Sequence, residues 1–187
     1  MRVPSGENAT GFTSGPSPRE SARFGFDVRR YAFVGGDPDP MLAAIREDGQ
    51  ALSQNLGQEQ HRIELDYDET IHLHGSNKEL RTAFSNLVFN AVRYTPAGGT
   101  IQIRWYADDD GAHLEVKDSG DGIAAHHIPR LTERFYRVDE GRSREKGGTG
   151  LGLAIVKHVL NRHQGKLEIR SQLGRGSSFI CHFPASL

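Results

Sequence analysis

The clearest pattern of apolar and polar positions lies between residues 76 and 95, where Leu80, Ala83, Phe84, Leu87, Val88, Ala91 and Val92 recur at intervals of three and four. That spacing puts all seven on one stripe of a helix. Ser76-Asn-Lys-Glu79 ahead of it is a capping box, and Pro96 ends the helix near Tyr94. A second helical period runs through Met41, Leu42, Ile45, Leu52 and Leu56, followed by β-prone pieces at His61 to Leu65 and Ile71 to His74. Beyond the long helix, TIQIRWY and AHLEVKD alternate with period two. They are joined by Asp-Asp-Asp-Gly111, which reads as a hairpin tip rather than a cation site. A short helix is expected near Ala124 to Leu131. Another should open at KGGTGLGLAIV, Lys146 to Val156, and reach about His163, with Gly165 closing it. Lys166 to Arg170 and Ser177 to Phe183 form a last strand pair. This order gives an α+β fold with helices gathered on one face of a sheet.

Residues 1–40 break the pattern. They are rich in Gly, Pro, Ser and Arg, keep no sustained period and end in GGDPDP. The composition predicts a mostly disordered extension, or sequence foreign to the domain, leaving 41–187 as the folded unit. The alternative is a native extension whose Phe24, Phe26, Tyr31 and Phe33 pair as a strand.

A chain of 187 residues suits one domain with a real core. Its formal net charge of −1 asks for neither nucleic acid nor an anionic membrane. Cys181 is the only cysteine, which excludes an internal disulfide and a cysteine zinc site. The nine histidines are scattered without ligand spacing. No apolar run approaches the roughly 18 residues of a membrane span, and the start lacks a secretory layout, so the chain reads as soluble.

Chemistry concentrates in three places. Four glycines fall within the six residues Gly147 to Gly152, ahead of an apolar helix. Each costs a helix about 1 kcal/mol relative to alanine, so the backbone itself is expected to approach something. Helix-start N–H groups favour a phosphate, although a flexible loop before a core helix has the same composition. Neither a Walker loop nor G-x-G-x-x-G fits. On the long helix, Asn86, Asn90, Arg93 and Tyr94 share one arc beside the apolar stripe, either as a ligand flank or as an ordinary polar boundary. Asp118-Ser-Gly-Asp-Gly-Ile123 ends a strand with a carboxylate and two glycines. A carboxylate accepts the exocyclic amine of adenine and would meet a carbonyl in guanine, a basis for choosing ATP over GTP. Together the three segments make a nucleotide site.

NLVFNAVRY, DSGDGI, RLTERFYR and GGTGLGLAIV, followed by GRGSSF, resemble in order the N, G1, F, G2 and G3 boxes of the ATP-binding domain of sensor histidine kinases, in the GHKL superfamily. The resemblance covers residues 41 to about 184, and the wording is nearest to the phosphate-regulon sensor kinases. It implies a two-layer α/β sandwich, with a mixed sheet covered on one face by helices and ATP held between the layers. Asn90 would bind the magnesium ion bridging the phosphates, Arg93 would contact phosphate, and Tyr94 would pack near adenine. Asp118 would accept from the adenine amine, with Gly120, Gly122 and Ile123 shaping that wall. The F-box residues Phe135, Tyr136 and Arg137 would border the site, with Arg137 steadying the terminal phosphates. Gly148, Thr149, Gly150, Leu151 and Gly152 would cradle the phosphate chain. Residues 132–147 would form a mobile lid carrying Arg134, Arg137, Arg142, Arg144 and Lys146. Two positions depart from the family: Arg93 stands where lysine is usual, and Thr132 where the F box is commonly apolar.

Hydrolytic members of the superfamily carry a glutamate one turn before the metal-binding asparagine, where this chain has Asn86. An amide cannot take a proton from water, so phosphoryl transfer is favoured over hydrolysis, with Asn86, Arg93 and Arg137 as the catalytic set. The family's acceptor, a histidine followed by glutamate and then proline on a dimeric hairpin, is missing from the sequence. The implied protein is therefore a catalytic fragment using ATP and Mg2+. Its partners would be a separate histidine hairpin and, indirectly, a response regulator. The fragment would be monomeric, and the whole kinase a homodimer anchored in the inner membrane with this part in the cytoplasm. The competing readings are a passive ATP-sensing module and an anti-sigma-factor-like serine kinase, against which Phe135 and Tyr136 weigh.

Overall fold

In β2 (Thr100–Asp108) the alternation is complete, with Ile101, Ile103, Trp105 and Ala107 buried on one side and polar residues on the other. The strand sits inside a sheet of five. The computed structural model describes residues 38–57, 61–138 and 148–185. In chain order these form α1 (Pro38–Asn55), β1 (Arg62–Tyr67), α2 (Asn77–Tyr94), β2, β3 (Gly111–Asp118), a 3-10 turn (Ala125–Arg130), α3 (Gly152–Arg162), β4 (Lys166–Gln172) and β5 (Gly176–Pro184). The strand order is β1-β2-β3-β5-β4. Among the described strands only β1 and β2 run parallel, and α2 is the crossover such a pair needs. The sheet is thus mixed, the fold is α+β, and α2 lies between α1 and α3 over one face.

The core fills the space between these layers. The α2 residues expected from periodicity, Leu80 through Val92, are all buried. They meet Leu114 and Val116 of β3 and Phe179, Cys181 and Phe183 of β5. Phe84, Trp105 and Phe183 form a ring cluster with centroids 6.2 to 6.4 Å apart. On the outer face polar side chains pair with one another. Arg104 lies 3.5 Å from Asp66 and 3.6 Å from Glu115, and Gln102 donates to Glu64 at 3.0 Å.

Local expectations met several corrections. Ile71 to His74 is not a strand: Ile71 and Leu73 are buried, but the Ile71 carbonyl accepts from Trp105 Nε1 at 3.1 Å instead of joining a ladder. The Ser76 box is half made. Ser76 Oγ accepts from Glu79 N at 3.4 Å, whereas Ser76 N donates to His163 Nε2 at 3.0 Å and Glu79 faces Arg162 at 3.2 Å. The short helix is a 3-10 turn. The residue that closes α3 is Gln164, at φ 57°, with Gly165 N returning to Leu160 O at 2.8 Å. Gly165 is needed for closeness instead, because a Cβ there would stand 2.7 Å from His182 O. α1 begins at Pro38, inside the stretch expected to lack structure. Residues 1–37, including the four aromatics, and Arg142, Arg144 and Lys146 lie outside the described residues.

Candidate nucleotide-binding site

A cavity of about 300 Å³ opens where the C-terminal half of α2, the end of β3, the segment after the 3-10 turn and the start of α3 converge. From α2 it is lined by Asn86, Asn90, Arg93 and Tyr94, which helical spacing places along one flank. Asn86 Nδ2 donates to Thr82 O at 2.8 Å, so the amide is partly engaged in its own helix. Arg93 is set deeper, with its Nε buried and without a hydrogen-bond partner among the described residues.

Asp118, 6% exposed, lines the cavity from the end of β3. Its Oδ1 accepts from Gly120 N at 2.8 Å and Ser177 N at 3.2 Å. Burial pushes the carboxyl above the ordinary aspartate range. The two backbone bonds oppose that rise, and the negative charge of Asp121 adds to it. Gly122 lines the wall at φ 69°, and a Cβ there would lie 2.0 Å from Gln172 O, so only glycine fits this turn. Ile123 lines it too. Gly120 packs behind it, where a Cβ would meet Tyr94 O at 2.3 Å.

On the third side, Tyr136 is held by a 2.7 Å bond between its hydroxyl and His127 Nδ1, with the Arg130 guanidinium 4.2 Å above its ring. Next to this anchor, Arg137 lines the cavity with Nε and Nη2 buried and without a partner among the described residues. Phe135 does not line the cavity. It sits at φ 65°, 69% exposed, and its N donates to Gly150 O at 2.8 Å. Gly148, Thr149, Gly150 and Gly152 line the fourth side, while Leu151 does not. Gly152 lets α3 approach α2, since a Cβ there would stand 2.9 Å from Asn86 Oδ1. Thr132 receives Lys157 Nζ at 3.5 Å.

The cavity therefore combines two chemistries. Two guanidinium groups with N–H unused among the described residues line it beside the start of α3, and the buried Asp118 carboxyl lines it too. Unpartnered buried donors are costly unless an acceptor arrives, so these donors are suited to an anion. Sequence reasoning did not assign Asp121, Leu131, Val138, Leu153, Leu173, Ser177 and Phe179, which also line it. Of these, Ser177 carried a signal readable in the sequence, inside GRGSSF.

Residues 75–187 match the family of histidine kinase-, DNA gyrase B- and HSP90-like ATPases, and the chain belongs to that family. Among its relatives, the phosphate regulon sensor protein PhoR of Pseudomonas aeruginosa is 61% identical over 145 residues, 78% of this chain and 32% of that one. The chain thus spans about a third of the length of this curated relative. Of solved structures, a mycobacterial sensor histidine kinase, MprB, aligns with a TM-score of 0.62 at 27% identity, over 76% of this chain and 94% of that one. Full-length ShkA in complex with AMPPNP aligns with a TM-score of 0.66 at 25% identity, over 88% of this chain and 34% of that one.

Proposed function

We propose that this chain is the ATP-binding catalytic part of a two-component sensor histidine kinase, passing the γ-phosphate of ATP to a histidine on a separate dimerisation hairpin. The observation that carries the reading is that three donors unused among the described residues, Arg93 Nε and Arg137 Nε and Nη2, line one cavity with the buried Asp118. A triphosphate satisfies those donors, and an amine-bearing base satisfies Asp118.

Both ends of Mg-ATP suit the residues present. Gly148 to Gly152 and the start of α3 receive phosphate oxygens, Arg93 and Arg137 offset their charge, and Tyr94 borders the base. Asn90 offers a hard oxygen donor beside the phosphates, suited to magnesium. A bound magnesium ion would neutralise phosphate charge that develops during transfer. Asn86 has no proton affinity to activate water, so the γ-phosphate is kept for an acceptor brought from outside. Phe135, exposed and two residues before Arg137, leaves an apolar side chain free to meet an incoming hairpin.

No described helix is long and apolar enough to cross a membrane, and ATP is a cytoplasmic metabolite. We place this part in the cytoplasm, monomeric by itself and acting within a homodimeric kinase that serves a response regulator.

The test mixes the chain with γ-labelled ATP, Mg2+ and separately made histidine hairpins of phosphate-regulon kinases. Acid-labile label on the hairpin histidine is the expected result. Calorimetric binding of a non-hydrolysable ATP analogue without label on any hairpin would leave a passive nucleotide module.

A further inference from the structure

Behind the base-facing wall, Ser171 on β4 has a hydroxyl with every hydrogen-bond site occupied. Its Oγ accepts from Ile123 N at 2.8 Å, contacts Gly176 O at 3.0 Å and contacts Ser177 Oγ at 2.9 Å. A carbonyl cannot donate, so the single Ser171 proton goes to Gly176 O. The proton in the Ser171–Ser177 contact must then come from Ser177. That assignment commits Ser177, which lines the cavity, to pointing its hydrogen away from it.

Asp118 is held with the same polarity. Gly120 N and Ser177 N both donate to Asp118 Oδ1, and Ile123 N is used by Ser171. Asp118 Oδ2 and the lone pairs of Ser177 Oγ remain, so these two side chains present acceptors to the cavity.

We propose that Ser171, which lies outside the cavity, is a specificity-determining residue: it holds the Ser177 proton away from the base and so makes the wall select a 6-amino purine over a 6-oxo purine. The proposal rests on the reading of the cavity as an ATP site. An amine finds acceptors on Asp118 and Ser177, whereas a carbonyl beside these two side chains meets their lone pairs. Loss of the Ser171 hydroxyl frees the Ser177 proton to turn inward and gives the carbonyl a donor.

The test compares the β,γ-imido analogues of ATP and ITP by calorimetry, with inorganic tripolyphosphate as a base-free control. Ser171→Ala is expected to narrow the ATP-to-ITP preference about fivefold or more, leaving tripolyphosphate affinity unchanged. Ser171→Thr keeps a hydroxyl and is expected to match the wild type. On a Ser177→Ala background, Ser171→Ala should move the ratio no further. An equal loss for both analogues, or no change, overturns the proposal. If Ser171→Ala does not fold, Ser177→Ala alone decides, because an unchanged ratio there also overturns it. A wild-type chain that binds neither analogue refutes the ATP reading itself, a different result from binding without base selection.

Discussion

At the scale of single residues, the site works by leaving some groups unsatisfied and satisfying others twice. Asp118 is held by two backbone N–H groups, yet burial is the larger effect and raises its carboxyl above the ordinary range. It therefore takes up a proton at a higher pH than an exposed aspartate would. As an acceptor for an amine it acts while ionised, so affinity for an ATP analogue should fall as pH drops through this raised value. Asp118→Asn should cost about tenfold or more in affinity and flatten that acid-side decline, read by calorimetry across pH. Arg137 concerns the other end. Arg137→Ala removes two unused donor atoms and should weaken ATP-analogue binding about tenfold or more while leaving adenosine binding unchanged. A parallel loss for adenosine would mean that the arginine supports the wall instead of the phosphates.

At the scale of elements, α2 was the most legible part of the chain, because its stripe, start and stop agree with one another. Its cap was read only in part. His163, 87 residues away, takes the Ser76 N–H that a capping box assigns to the glutamate. No local pattern announces such a partner. Ile71 to His74 differs from its pattern for a related reason: buried apolar residues near a strand look like a strand, and whether their carbonyls find a ladder is decided by neighbours. The end of α3 offers a direct check. Gln164 holds a left-handed conformation that glycine adopts more cheaply, so Gln164→Gly should stabilise the chain by about 1 kcal/mol in urea unfolding. Nucleotide affinity should not change, since Gln164 is not among the residues lining the cavity.

At the scale of the whole molecule, one sheet separates two environments. The inner face carries the aromatic cluster and the helices, and the outer face carries paired charges. Cys181 belongs to the inner face of β5, fully buried, and desolvation holds its thiol far above the ordinary range. A thiol reagent at pH 8 should leave native protein unmodified and label it only on unfolding. Fast labelling of folded protein would contradict the placement of β5. The sequence alone determined the α+β class, the helix faces, the hairpins and the segments that hold the chemistry, because periodicity and turn residues act over a few positions. It joined Asn90, Arg93 and Asp118 in one nucleotide site by their chemistry, and added Arg137 only through resemblance to a family. Tertiary structure alone decided that Phe135, Gly120 and Leu151 stay out of the cavity while Leu173 enters it, and that Gly122 and Gly165 answer to distant carbonyls. Those outcomes depend on which strand lies beside which, and strand neighbours are chosen by burial across the whole chain rather than by any local run of residues.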